Sequence, residues 1–440
     1  MCRRLCVALL LLCMFACQAG IIRPTHPQTR LLETGLFSFS FAPKSATQQS
    51  AAVASTTGGM VYLSPTASQF SSNLESTVTQ RSIYYNVITP DGSVVQQQAI
   101  PGSAYMDFDE TLDGIMQRYD VPGLAVSITR NGEPVFVRSY GYADKEKGQL
   151  VSDQSLFRIA SLSKPITSAG ILKLIQDGKL TLADKVFGPE GILADEFPEP
   201  VADPNIAQIT VYQLLIHTSG LTNSGGDPML VDRAATAREI ITEEVLHRVL
   251  EHEPGSTVAY SNLGYSILGR VIEKVTSKPY QDFIQEEVLL PAKIIGMRIA
   301  GDSMAQQVPG EVTYYQEEYD PYTYNMARMD AHGGWLSSTG DLMRFMALID
   351  RNPAIPDLIE DNLLQATYFG GETWTHYGSL PGTTAVLSRV NDEYSFVVLA
   401  NTRYNRSPNR IADEVSNALK EKILSMESWP TGAEQLAIND

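Results

Sequence analysis

Apolar residues recur at two different spacings along this chain, and the switches between them divide it into segments. Phe108, Leu112, Ile115, Met116 and Tyr119 share one face at helical spacing, Asp107 and Glu110 resemble a capping box at its start, and Pro122-Gly123 ends the run. Leu124 to Arg130 and Pro134 to Tyr140 then read as strands around Asn131-Gly132, a dipeptide that favours a tight hairpin turn. Helical spacing returns with Ile166, Ile171, Leu172, Leu174 and Ile175, an amphipathic helix that runs until Gly178, and Pro165 fits only near the start of such a helix. Between about Pro165 and Asp330 the segments read as mostly helical, with loops rich in Pro and Gly. Thr384 to Val390 and Tyr394 to Leu399 form a second hairpin around Asn391-Asp392. Asn409 to Leu424 closes as a helix with Ile411, Val415, Leu419, Ile423 and Leu424 on one face.

Strands at both ends with helices between them predict an α/β (α+β) fold over residues 105–426. One antiparallel sheet is flanked by terminal helices and interrupted by an inserted, mostly helical subdomain. Residues 21–104 are rich in Ser, Thr, Gln and Ala, most of all from Ser45 to Gly59, and read as a flexible leader. One part of it reads differently. Ile83 to Ile88 and Ser93 to Gln98 flank a turn at Asp91-Gly92, a hairpin able to dock on the main domain. Residues 427–440 read as a tail.

Composition narrows the functional classes. The 440 residues are 43% hydrophobic and 19% charged, which is globular, and the formal net charge of -17 argues against nucleic acid or an anionic membrane surface as partner. His26, His217, His247, His252, His332 and His376 are the six histidines, and none pairs with another at metal-ligand spacing. No metal and no cofactor is expected. Arg3 and Arg4 precede an apolar run from Leu5 to Ala16 that is too short to span a bilayer. Residues 1–20 therefore read as an export signal, and the expected location is periplasmic or secreted. All four cysteines, Cys2, Cys6, Cys13 and Cys17, lie inside that segment, so its removal leaves no disulfide. Met14-Phe15-Ala16-Cys17 also resembles a lipoprotein signal, although Met14 and Phe15 stand where that signal prefers leucine and a small residue. Export without lipid is the first reading, and a lipid anchor through Cys17 is the alternative.

Candidate chemistry gathers in three places. Ser161 and Lys164 lie about one helical turn apart, which brings an amine beside a hydroxyl that is otherwise a poor nucleophile. Tyr260-Ser261-Asn262 follows Glu253-Pro254-Gly255-Ser256 and precedes a helix from about Leu263 to Thr276, so a turn can aim a phenol and a carboxamide into a cleft. A positive charge beside Tyr260 would lower its pKa and make it a general base, while Asn262 can orient a substrate carbonyl or hold the lysine. His376-Tyr377-Gly378-Ser379 precedes the second hairpin's strand. There Gly378 admits a close approach of substrate to the backbone, and the Ser379 N–H can join the Ser161 N–H against an oxyanion. Taken singly, each piece has a plainer reading as a helix cap, a polar helix start or a structural histidine.

Together and in this order they resemble the serine β-lactamase and penicillin-binding superfamily. The likeness is to its class C-like group, which includes D-stereospecific peptidases and esterases; the pattern there is Ser-x-x-Lys, then Tyr-x-Asn, then Lys-Thr-Gly or His-x-Gly. Ile209 to Leu221 and Gly333 to Leu342 extend the resemblance, which spans about Asp107 to Ser425. It implies Ser161 as nucleophile, Lys164 as its activator and Tyr260 as general base. Asn262, His376, Gly378 and Ser379 would bind substrate, His217 would stabilise the turn into Gly220, and Asp341 would belong to a helix start.

The expected activity is hydrolysis of a small-molecule or peptide substrate, an ester, a D-amino-acid peptide or a β-lactam, through a Ser161 acyl-enzyme. A non-catalytic binding or scaffold protein that keeps the same fold is the alternative. His376 stands where the lysine of β-lactamases would begin the third motif. With an ordinary histidine pKa, His376 would make turnover of anionic substrates decline as pH rises through its titration.

Overall fold

The computed structural model describes residues 82–231, 233–404, 406–426 and 428–429. The segment read as an export signal, Cys17, the Ser45 to Gly59 tract and residues 430–440 lie outside them. Eleven strands lie among the described residues: β1 (Tyr84–Ile88), β2 (Val94–Gln98), β3 (Gly123–Arg130), β4 (Glu133–Asp144), β5 (Gln149–Leu150), β6 (Phe157–Arg158), β7 (Arg298–Ile299), β8 (Trp335–Ser337), β9 (Trp374–Leu380), β10 (Thr383–Arg389) and β11 (Tyr394–Ala400). The main sheet runs β2-β1-β4-β3-β11-β10-β9 with β5 on β4, and every pairing in it is antiparallel. A small sheet of β6, β8 and β7 stands apart from it.

Alternation along the strands builds three layers, because successive side chains point to opposite faces. Leu124, Val126 and Ile128 of β3 join Phe396 and Val398 of β11 against two helices, α1 (Met106–Arg118) and, at the other end of the chain, Arg410–Ser425. Phe108, Leu112 and Ile115 come from the first helix, and Ile411, Val415, Leu419 and Ile423 from the last. Ala125, Val397 and Leu399 face the opposite way, toward α2 (Ser163–Gln176) and the inserted helices. Both faces of the central strands are covered, which is why β3 and β11 read as almost continuous apolar runs.

Three local expectations need correction. The first helix starts at Met106 after Tyr105, with no side-chain cap; Asp107 lies inside it and receives a hydrogen bond from Lys422 on the last helix. Burial of Tyr105 and Met106 against the sheet sets that start, and it overrides the capping-box pattern. Leu424 is 64% exposed, so the closing helix buries Ile423 alone at that end. Helix α2 is buried on almost every side from Ser163 to Leu172, and so is a central helix rather than an amphipathic one. The third motif precedes the second hairpin's strand as expected, and it also forms a strand of its own, β9, at the free edge of the sheet.

The hairpin of β1 and β2 forms where the turn chemistry places it, with Gly92 at φ 84°. It continues the main sheet through Asn86 opposite Ser139. The Asn86 side chain is buried and donates to Gly141 O at 2.8 Å and Val151 O at 2.9 Å, tying β1 to β4 and to the residue that follows β5. Asn86→Ala leaves those two carbonyls without that donor. It is expected to lower unfolding free energy by about 1–3 kcal/mol, read by chemical denaturation; wild-type stability would show that the hairpin is not integral to the domain.

Candidate active site

The chain reaches Ser161 through a strained step. Strand β6 ends at Arg158, and Ile159 N–H is held by Trp335 O at 3.0 Å. Ala160, 1% exposed, then adopts φ 47°, a left-handed conformation that costs a non-glycine residue about 1–3 kcal/mol. A single 3₁₀ turn, Ala160–Leu162, carries Ser161 and leads directly into α2. Leu162 N–H is the first to bond back into this turn, to Ile159 O, which leaves the Ser161 N–H at its unsatisfied N-terminal end. Ser161 therefore sits just before the helix, not within it.

Lys164 follows in the first turn of α2 with no solvent exposure. Its Nζ lies 2.6 Å from Asn262 Oδ1, 2.7 Å from His332 O and 3.2 Å from Ser161 Oγ. Tyr260 approaches from the other side, its hydroxyl 2.6 Å from Ser161 Oγ. The turn that carries it is clamped by the Ile209 to Gly220 segment. His217, at φ 60°, accepts the Ser261 N–H on Nδ1 at 3.2 Å, and its carbonyl accepts the Ala259 N–H at 2.7 Å. Ser261 caps the next helix, Asn262–Thr276, by accepting the Gly264 N–H at 3.0 Å, which puts Asn262 at the first helical position facing Lys164. The His217 ring lies between Tyr260 and Tyr265, at 4.8 and 5.0 Å between centroids. Its work is to hold the Tyr260 turn as well as the bend toward Gly220. Asp341 lies in the first turn of a helix capped by Ser338, as expected.

Strand β9 completes the arrangement. Leu380 and Thr383 pair across Pro381-Gly382, with Gly382 at φ 73°, a two-residue turn of the type II sequence. That closing pair fixes the alternation: Leu380, Gly378 and His376 exchange hydrogen bonds with β10, while the Ser379 N–H points to the free edge. Gly378 has a different reason from the one its sequence setting suggested. A Cβ there would stand 2.1 Å from Ile159 O, so the glycine makes room for the chain leading to Ser161 rather than for substrate.

Burial sets the electrostatics. It drives the Lys164 amine well below its ordinary pKa, opposed by the Asp227 carboxylate nearby. It pushes the Tyr260 phenol up, against a smaller lowering by the Ser161 hydrogen bond. The expected lowering of Tyr260 by an adjacent ammonium is thus reversed, because the same burial disfavours both charges. His376 is pushed down to about 3 by burial and then by Lys164, with a hydrogen bond to the Ser161 backbone opposing. It stays neutral through the physiological range, so the titration expected near pH 6.5 falls away.

The structure brings Ser161, Lys164, Tyr260 and Asn262 into one hydrogen-bonded group and lays β9, with His376, Gly378 and Ser379, beside the Ser161 turn. A family model described as Beta-lactamase matches residues 108–420, well over half of the chain. This chain belongs to the β-lactamase family. Protein flp of Staphylococcus aureus (strain MW2) is 29% identical over 197 residues, which are 44% of this chain and 38% of flp. Esterase EstB of Burkholderia gladioli is 30% identical over 224 residues, 48% of this chain and 55% of EstB. The chain therefore covers less than two thirds of the length of either curated relative. The crystal structure of D-amino acid amidase from Ochrobactrum anthropi SV3 superposes with a TM-score of 0.57 at 22% identity, over 72% of this chain and 99% of the amidase, a likeness of fold.

Sequence reasoning missed Asp227 and the His332 carbonyl. Asp227-Pro228 reads only as the start of a turn, and no side-chain pattern announces a backbone acceptor. Gly378→Ala is expected to separate β9 from the Ser161 turn and to cut acylation of Ser161 by about 10²- to 10³-fold with the sheet intact, as for loss of one oxyanion donor. Stopped-flow acylation alongside circular dichroism checks this, and wild-type acylation would refute the close-approach argument.

Proposed function

We propose that this chain is an exported serine hydrolase that cleaves an uncharged ester or a D-amino-acid amide through an acyl-enzyme on Ser161. The observation that carries the reading is the contact of one half-buried hydroxyl, Ser161 Oγ, with both Tyr260 OH and the buried Lys164 Nζ. A neutral amine has two hydrogens and one lone pair. The two short contacts of Lys164, to Asn262 Oδ1 and His332 O, take the hydrogens, and the longer one aims the lone pair at the Ser161 hydroxyl.

Chemistry follows from that geometry. Ser161 Oγ attacks the substrate carbonyl as its proton passes to Lys164, and the Ser161 and Ser379 N–H groups receive the oxyanion. Tyr260 then gives its hydroxyl proton to the leaving alcohol or amine and takes the proton from Lys164 in its place, so both groups end the step as they began. Water repeats the sequence on the acyl-enzyme, releasing acid and restoring Ser161. Neutral His376 supplies no cation for a substrate carboxylate, which favours uncharged substrates over penicillins and cephalosporins, and the names of the esterase and amidase relatives point the same way. Export rests on the basic and apolar pattern of residues 1–20.

Labelling by a fluorophosphonate probe tests the class. Wild type should label, Ser161→Ala should not, and Tyr260→Phe should lower turnover by about 10²-fold or more. An unlabelled, inactive wild type would return the chain to a binding or scaffold role, whereas equal activity in Ser161→Ala would refute the Ser161 mechanism. A second expectation concerns pH. Acylation should rise as pH rises through the lowered Lys164 ionisation, because the base acts deprotonated, while His376→Asn should leave the shape of the kcat/KM profile between about pH 5 and 9 unchanged. A limb in that range that disappears with His376→Asn would show a charged imidazole and reopen β-lactams as substrates.

A further inference from the structure

Resting on the reading that Lys164 serves Ser161 as base, we infer that Asp227 is a positioning residue for this reaction, holding the Asn262 amide in the orientation that presents its oxygen to Lys164. Both ends of that amide are engaged. Asn262 Oδ1 lies 2.6 Å from Lys164 Nζ, and Asn262 Nδ2 donates to Asp227 Oδ2. A carboxylate only accepts hydrogen bonds, so the end of the amide facing it must be the NH₂. The oxygen is then left for the lysine. The reverse orientation would set oxygen against carboxylate and NH₂ against the amine's own hydrogens.

Asp227 is itself held in place. It is 8% exposed; Oδ1 accepts the Met229 N–H at 3.0 Å, and Oδ2 also accepts from Asn223 Nδ2 at 3.2 Å. Asn223 Oδ1 in turn accepts the Asn262 N–H at 3.2 Å, so the loop carrying Asp227 grips the helix start at its backbone as well as its side chain. When the Ser161 O–H bond breaks and an Nζ–H bond forms, the new ammonium meets an amide oxygen whose far end rests on a carboxylate. The line is charge, dipole, charge.

The surrounding groups leave that role to Asp227. Tyr260, Tyr265, His217, His332 and His376 also face Lys164, and burial holds each in its uncharged form. Arg248 and Glu244 lie toward Asp227 but pair with each other at 3.0 Å. Asp227 thus supplies the negative charge that this group offers to a protonated Lys164.

Two variants of the full chain test the assignment. Asp227→Asn can still accept the Met229 N–H, which favours retention of the local turn, but it no longer dictates which way the Asn262 amide faces. The double exchange Asp227→Asn with Asn262→Asp restores a pair between the positions and puts the carboxylate directly on Lys164. Lysine side-chain NMR, with the Lys164 signal assigned by its absence in Lys164→Gln, follows the amine's titration without needing turnover. Fluorophosphonate labelling of Ser161 against pH follows the reaction. In Asp227→Asn the Lys164 titration should move to lower pH, yet labelling at pH 7.5 should fall by about a hundredfold at an unchanged melting temperature. Those two signs oppose, since a lower amine pKa alone would give more free base. The double exchange should move the titration back up and recover part of the labelling. A Lys164 titration at its wild-type position in Asp227→Asn overturns the inference, whether or not labelling falls; if that variant does not fold, an unmoved titration in the double exchange does so. An unlabelled wild type whose Lys164 titration still moves in Asp227→Asn refutes the hydrolase reading and leaves the placement of Asn262 by Asp227 standing.

Discussion

A primary amine with no solvent exposure is the constraint on which this structure turns. Ionised and unpaired, Lys164 would cost several kcal/mol, so the fold must surround it with acceptors or hold it neutral. It does both. Two acceptors come from segments far away in sequence, the start of the Asn262–Thr276 helix and the turn at His332. Each must dock before the lysine is satisfied. The His332 turn is made by its own N–H and that of Gly333 on Met329 O, and Gly334 lets Met326 O pass where a Cβ would stand 2.5 Å away. Glycines that look like loop punctuation thus serve the packing of a lysine.

The Ser161 turn and β9 face a second constraint, which is distance. The Ser161 turn and β9 meet over Gly378, and Ala160 accepts a left-handed backbone to make the turn. The opposing interactions that hold this strain are specific. Ser163 Oγ donates to Ala160 O at 2.7 Å and accepts the Trp335 N–H at 3.3 Å, locking the turn to β8. Rigid elements, not loops, therefore set the position of Ser161 relative to β9.

Much of this was legible in the sequence, and the failures have physical reasons. Hairpins at Asp91-Gly92, Asn131-Gly132 and Asn391-Asp392 were readable because their turn residues carry a local conformational preference, and the alternating apolar runs beside them mark the buried sheet. Ser161, Lys164, Tyr260 and Asn262 were readable as chemistry because reactive side chains stood at informative spacings. Strand β9 was not, since His376, Gly378 and Ser379 lack the apolar alternation of a half-buried strand and are chosen for what lies beside them. Asp227 was invisible for a related reason: its significance lies in which end of a distant amide it touches, and no period in the chain records that. The helix start at Met106 failed in the opposite direction, because tertiary burial outweighed a good local signal.

Charge ties these observations together. The chain carries a formal net charge of -17, yet beside Ser161 burial moves Lys164, Tyr260 and His376 toward their uncharged forms, with the Asp227 carboxylate set behind them. Burial lowers Lys164, His217, His332 and His376 and raises Tyr260, so each is moved toward neutrality from its own side. Such a site holds little charge before reaction. In the proposed reaction, proton transfer from Ser161 to Lys164 would create an ammonium at the moment an oxyanion grows on the substrate, within a medium that screens them poorly. Their attraction, and the Asn262 and Asp227 line behind the lysine, would then be strongest in the transition state and weaker in the resting site. Interactions of that kind accelerate a reaction instead of merely tightening substrate binding. A permanent cation on β9 would have added a ground-state attraction for anionic substrates, and with His376 neutral the developing charge pair of the proposed reaction would be the main electrostatic event near Ser161.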